Sequence, residues 1–186
     1  MIKIITITRL AGILGLCMLL WNISVSAQGL MGFSDEAFVK EAAERGMAEV
    51  MLGKLAQNRG TSEAVRNFGK MMVTDHQKAN DELKQLAQRK NIFVPAGVPN
   101  DMQKDHDDLS GKSAADFDEA FMKKMIRDHE ATIALFKRAV DKGTDADLKS
   151  WAARTLPTLE QHLEHARNVQ DNLKNSKKDN KKNKGK

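Results

Sequence analysis

The sequence contains no tyrosine, three prolines and a single cysteine. That cysteine, Cys17, lies in the N-terminal apolar stretch. Residues 28–186 therefore offer no disulfide, no thiolate ligand and no thiol nucleophile. The prolines, at 95, 99 and 157, leave long runs in which a helix can propagate. After residue 27 one tryptophan is left, Trp151, too few stacking platforms for a nucleic-acid binder. There is no glycine-rich phosphate loop and no nucleophile elbow, and the serines stand at helix caps or chain ends without a histidine to activate them. No stretch alternates β-branched and polar residues with period two, which argues against a sheet and for an all-α chain.

What is present begins with a leader pattern. Lys3 and Arg9 precede an apolar run from Leu10 to Trp21, and Val25-Ser26-Ala27 fits a peptidase site before Gln28. Residues 1–27 are expected to be a cleaved signal peptide, with an uncleaved N-terminal anchor as the alternative. Leu16 stands where a lipoprotein signal needs a small residue, so Cys17 is a poor acceptor for lipid. The expected location is periplasmic or associated with the outer envelope, with no transmembrane span once the signal is removed. Nothing fixes an oligomeric state.

The charge is divided unevenly. The chain carries +5 overall, but residues 174–186 hold seven lysines against Asp179. Residues 28–173 carry 21 basic and 24 acidic residues. The basic character thus belongs to the end of the chain. That segment, residues 174–186, has no apolar residue and is expected to be disordered, a solvated end or a contact for envelope polyanions. Nucleic acid is not an expected partner.

Between these ends, over 34–173, the apolar residues recur at helical spacing and predict four long helices. The first follows Ser34 as N-cap and carries Phe38, Ala42, Arg45, Glu49, Leu52 and Ala56 on one stripe. Gly60 stops it, and Thr61 or Ser62 caps the second, with Val65, Phe68, Met72, His76, Ala79, Leu83 and Leu86. Pro95, Gly97 and Pro99 mark a long connection with room for a short helical turn from Asn100 or Asp101 to Leu109. The third helix begins near Ala114, with Met125, His129, Phe136 and Val140 on its stripe. Gly143 ends it, and the fourth runs through Leu148, Ala152, Thr155, Leu159, His162, Ala166 and Val169, with Pro157 expected to kink or split it. Such stripes bury nothing alone, so the four must pack as a bundle.

The second and third helices repeat each other. Phe68, Lys70, Met72, Asp75 and His76 match Phe121, Lys123, Met125, Asp128 and His129, 53 residues on. Duplication explains the repeat without any function. It does not explain why Glu49 and His162, outside it, also fall near the middle of their helices. Helix midpoints share a level in a bundle, so Glu49, His76, His129 and His162 are expected to converge in one layer. Burying them unpaired costs roughly 1–3 kcal/mol each. Three imidazoles and a carboxylate could bind Zn, Fe, Mn or Cu, with Asp75 and Asp128 as outer partners or further oxygen ligands. The competing reading is a metal-free hydrogen-bonded layer that fixes register. Met72 and Met125, one turn before their histidines, suit either a soft Cu(I) site or simple core filling.

The segments "FVKEAAERGMAEVMLGKLA", "FGKMMVTDHQKANDELKQLA", "FMKKMIRDHEATIALFKRA" and "WAARTLPTLEQHLEHA" resemble an exported bacterial family of unknown function, in the ferritin-like superfamily, whose members are often labelled predicted outer-membrane proteins. The resemblance covers about Ser34 to Leu173. It implies a ferritin-like four-helix bundle with a long crossover between helices two and three, and no assigned activity. The iron-oxidising members of that superfamily carry Glu-x-x-His on two helices. No Glu-x-x-His occurs in this sequence, which speaks against a di-iron oxidase and iron storage. The expected function is non-enzymatic: an exported bundle binding a transition metal in its core, in envelope stress or metal handling. The alternatives are a metal-free interaction module held at the envelope by its lysines, and a metal oxidoreductase.

Overall fold

In a computed structural model the backbone is described for residues 32–183 and the side chains for residues 32–179. The expected signal peptide, residues 1–27, lies outside the described residues. Among the described residues every regular element is an α-helix: α1 Asp35–Arg59, α2 Glu63–Arg89, α3 Asn100–Ser110, α4 Ala114–Lys142 and α5 Ala146–Asn183. The four long helices fall where the stripes predict them. The short turn expected in the connection is the eleven-residue α3. α1 packs along α2 and α4 along α5. The two pairs meet through α1 against α4 and α2 against α5, and α3 lies on α1 and α4.

The helix ends follow local chemistry, with one surprise. Ser34 Oγ accepts the Ala37 N–H at 3.2 Å, the expected cap. At the α1–α2 corner neither Thr61 nor Ser62 caps α2 with its own side chain. Asp118 of α4 ties down the corner ahead of α2 instead. Its carboxylate accepts the Thr61 N–H (2.9 Å), the Thr61 hydroxyl (2.6 Å) and the Ser62 N–H (2.7 Å). At the α4–α5 corner Asp145 caps α5 itself, accepting the Asp147 and Leu148 N–H at 3.0 Å, while Asp35 of α1 accepts from the Thr144 N–H and hydroxyl and from the Asp145 N–H. The glycines that end α1 and α4 supply room rather than a left-handed backbone. Gly60 and Gly143 have φ of −56° and −57°, but a Cβ would lie 2.7 Å from Ala56 O and 2.5 Å from Ala139 O. α2 ends differently. Asn91 takes φ 55°, its N–H bonds Gln88 O and the Ile92 N–H bonds Ala87 O, a left-handed cap that folds Ile92 back onto the core.

Two expectations change. Pro157 does not split the last helix; α5 passes through it as one element. Pro157 and Ala153, whose carbonyl the proline leaves unbonded, both lie on the exposed side, where water replaces the lost bond. Of the tail 174–186 that was expected to be disordered, residues 174–183 continue α5, and 184–186 lie outside the described residues. Lysine is a good helix former, no glycine or proline occurs there before Gly185, and Lys177 pairs with Glu119 of α4 at 2.6 Å.

The buried apolar residues form two groups. One gathers Phe38, Leu83, Phe136 and Trp151, and the other Phe68, Met72, Phe121 and Met125. α1 and α5 run from the first group to the second, and α2 and α4 run the opposite way. On each long helix one buried polar residue stands between the groups: Glu49, His76, His129 or His162.

Candidate metal centre

Each of the four sits on its helix where the apolar stripe would otherwise continue, so packing of the neighbouring turns forces it inward. Glu49, His76, His129 and His162 are all buried. The three histidines meet. They offer one nitrogen each within 4.8 Å of one another, and their ring centroids lie 5.5–5.7 Å apart. Glu49 stands beside them, its Oε1 3.9 Å from His129 Nδ1, but it is not one of the gathered donors.

Hydrogen bonds decide which nitrogens face the cluster. His129 Nδ1 donates to the Met125 carbonyl at 2.8 Å, which leaves Nε2 with its lone pair. Asp75 accepts from His162 Nε2 at 2.8 Å, which leaves Nδ1 as the free donor. Among the described residues His76 Nε2, His129 Nε2, His162 Nδ1 and Glu49 Oε2 are buried without a hydrogen-bond partner, as is Trp151 Nε1. Four of these five atoms belong to the one layer. The register-fixing layer would have its carboxylates accept from the imidazoles. That holds for Asp75 and His162 alone.

Electrostatics points the same way. Burial, with His129 and His162 nearby, holds His76 well below the usual histidine range. Burial and His162 push His129 down to about 4. Burial likewise lowers His162, although Asp75 opposes it. The Glu49 carboxyl is pushed up to about 8, first by burial and then by the charge of Asp128. At neutral pH the layer is therefore three neutral imidazoles and a protonated carboxyl, and neutral imidazole is the form that binds metal. Glu49, His76 and His129 border, with Thr132 and Phe136, a chamber of about 20 Å³, room for one ion or about one water. Three buried imidazoles in this arrangement could hold a metal ion, and the free nitrogens fit one.

The two aspartates beside the histidines part company. Asp75 reaches His162 and so stands behind a donor. Asp128 pairs with Lys124 at 2.8 Å and faces a surface cleft. Met72 and Met125 are fully buried among the apolar side chains of the second group. His106 bonds Asp107 near the surface, and His165 lies against the Phe68 ring, 5.5 Å between centroids, outside the cluster. Sequence reasoning missed Lys124, a buried lysine bridging Asp128 and Asp105 of α3. Its one signal is its place four residues before Asp128. It also missed Asp118, whose partners are 56 and 57 residues distant and leave no local trace.

Fold and site define an all-helical protein with a buried three-histidine cluster flanked by a glutamate. No curated protein and no solved structure matches the chain. The chain belongs to the family described as a domain of unknown function (DUF4142), which matches residues 23–169. That span takes in the glutamate and all three histidines.

Proposed function

We propose that this chain is an exported, ferritin-like four-helix bundle that binds a transition metal through His76, His129 and His162. Glu49 is the adjacent carboxylate and Asp75 the partner that orients His162. Its role is metal handling in the cell envelope rather than catalysis. The observation that carries the reading is the set of three unpartnered imidazole nitrogens, buried together and neutral. Support for the bundle comes from the shared direction of α2 and α4, which makes residues 90–113 a crossover along the length of the molecule. Imidazole donors suit Zn, Cu or Fe, and the carboxylate extends the range to Mn. A tetrahedral site with bonds of about 2.1 Å would draw the nitrogens to about 3.4 Å from one another.

Elemental analysis of the purified protein against the H76A/H129A/H162A variant tests it. About one metal ion per chain in the native protein and none in the variant is the expected result. Negligible metal in both, after growth or dialysis with each candidate ion, sinks the proposal.

A second reading concerns the basic end and is favoured by the charge division. Residues 174–186 are strongly basic beside an acidic body, a pattern suited to envelope polyanions such as lipid headgroups or cell-wall polymers. Deleting residues 174–186 should release the protein from envelope fractions at low salt; unchanged fractionation would remove this reading.

A further inference from the structure

A buried site needs an access route, and the two sides of the His layer differ. Between α1, α3 and α4 lies a cleft of about 180 Å³ bordered by Asp101, Asp105, Asp128 and Glu49, with Arg45 and Lys124. Arg45 is neutralised by Glu41, 2.7 Å away. The Lys124 side chain is buried along most of its length, and its ammonium is pinned between Asp105 and Asp128. Asp101 bonds the backbone N–H of Met102 and no cation. The cleft thus already holds one tethered cation and keeps negative charge to spare.

On the opposite side a groove between α2 and α5 reaches Asp75. Its Lys78 and Arg154 balance Asp75 and Glu82. It ends behind His162, at the nitrogen already bonded to Asp75, and no free donor faces it.

Glu49 borders both the acidic cleft and the 20 Å³ chamber that His76 and His129 share. Its Oε2 is buried and has no hydrogen-bond partner among the described residues. The volumes set the order of events. The cleft has room for an ion with its bound waters, and the chamber for one bare ion. Water ligands must therefore be exchanged for protein donors between the two, where Glu49 stands.

The geometry points to this cleft as the access port for a hydrated divalent cation, with Glu49 the ligand that passes it to the three imidazoles. The inference rests on the metal-binding reading above. Carboxylates of the cleft attract the ion, Glu49 gives up its proton to water in the cleft as its carboxylate takes the place of the ion's first water, and imidazole nitrogens replace the others. Lys124, held by Asp105 of α3 and Asp128 of α4, must swing aside as the ion passes.

Stopped-flow association of Co(II) with the full chain, read by the visible absorption of the imidazole-bound ion, tests the route. D101N/D105N should bind about fivefold or more slowly at low salt, because electrostatic steering is lost, with the equilibrium affinity within about threefold of native. The difference should shrink in about 0.5 M salt, as screening replaces steering. D101N alone, which leaves the Lys124 bridge intact, should slow association about twofold. E82Q, in the opposite groove, should leave the rate unchanged. Native-like rates in both cleft variants, or equal slowing by E82Q, would overturn the port while leaving the metal site standing. A native protein that binds no Co(II) at all would overturn both.

Discussion

Asp75-His76 and Asp128-His129 are the same motif on two helices, and the fold uses them differently. Both histidines enter the cluster. Asp75 reaches across to α5 and orients His162, whereas Asp128 turns along its own helix to Lys124 and into the cleft. The neighbours on the adjoining helices make the difference: α5 brings an imidazole to Asp75, and α3 brings Asp105 to the Lys124 that Asp128 holds on its own helix. A duplicated sequence fixes where a side chain starts, and assembly with unlike partners decides what it does.

The sharpest way to break the comparison is through the histidines, which the motif treats alike. Either H76A or H129A should weaken Zn or Co(II) binding by about 100-fold or more, since two imidazoles are left of three; isothermal titration of each variant checks this. The aspartates should then separate. D75N should cost about 10–100-fold in metal affinity, as the loss of an outer partner does. D128N should stay within about threefold. Equal losses in the same titrations would mean that both aspartates serve the site directly.

Acidity distinguishes the layer from its surroundings without any metal. The histidine values are lowered, so as pH falls from 6.5 toward 4 the unfolded chain takes up protons that the folded one refuses, and stability drops. The Glu49 value is raised, so from pH 4.5 to about 8 the unfolded chain ionises while the folded one keeps its proton, and stability drops as pH rises. With three imidazoles against one carboxyl, metal-free protein should be most stable near pH 6.5. E49Q should remove the alkaline decline, on the order of 2 kcal/mol between pH 6.5 and 8. Urea midpoints across pH 4–9 measure both. A native stability that still rises above pH 7 would contradict the assigned state of Glu49.

The smallest effect compares the two corners. Asp118 is buried, and Asp35 only partly so. D118A should destabilise by about 2–3 kcal/mol and D35A by about 1 kcal/mol, because lost partners cost more where water cannot replace them. Thermal unfolding of the two variants ranks them.

Much of this was legible in the sequence, for a physical reason in each case. The stripes fixed the four long helices because burial imposes a 3.6-residue period, and the polar exceptions stood out against those stripes. Lys124 and Asp118 did not stand out. Their partners come from α3 and from the α1–α2 corner, so their roles exist only once the helices are packed. Residues 174–183 were expected as disordered chain because their composition resembles a solvated coil. Helix propensity, with one long-range ion pair to Glu119, extends α5 as far as Asn183. Glu49 was expected as a fourth ligand. The structure sets it beside His129, on the wall between the chamber and the cleft.

The reciprocal corners have a consequence for how the chain assembles. Asp35, from the first helix, closes the turn that opens the last one, and Asp118, from the fourth, closes the turn that opens the second. Neither hairpin can complete its own turn; each receives its final hydrogen bonds from the other. Local fraying is thereby coupled to separation of the halves. The amides of Thr61, Ser62, Thr144 and Asp145 should resist deuterium exchange until the whole molecule opens, although all four sit in turns, where protection is usually weakest.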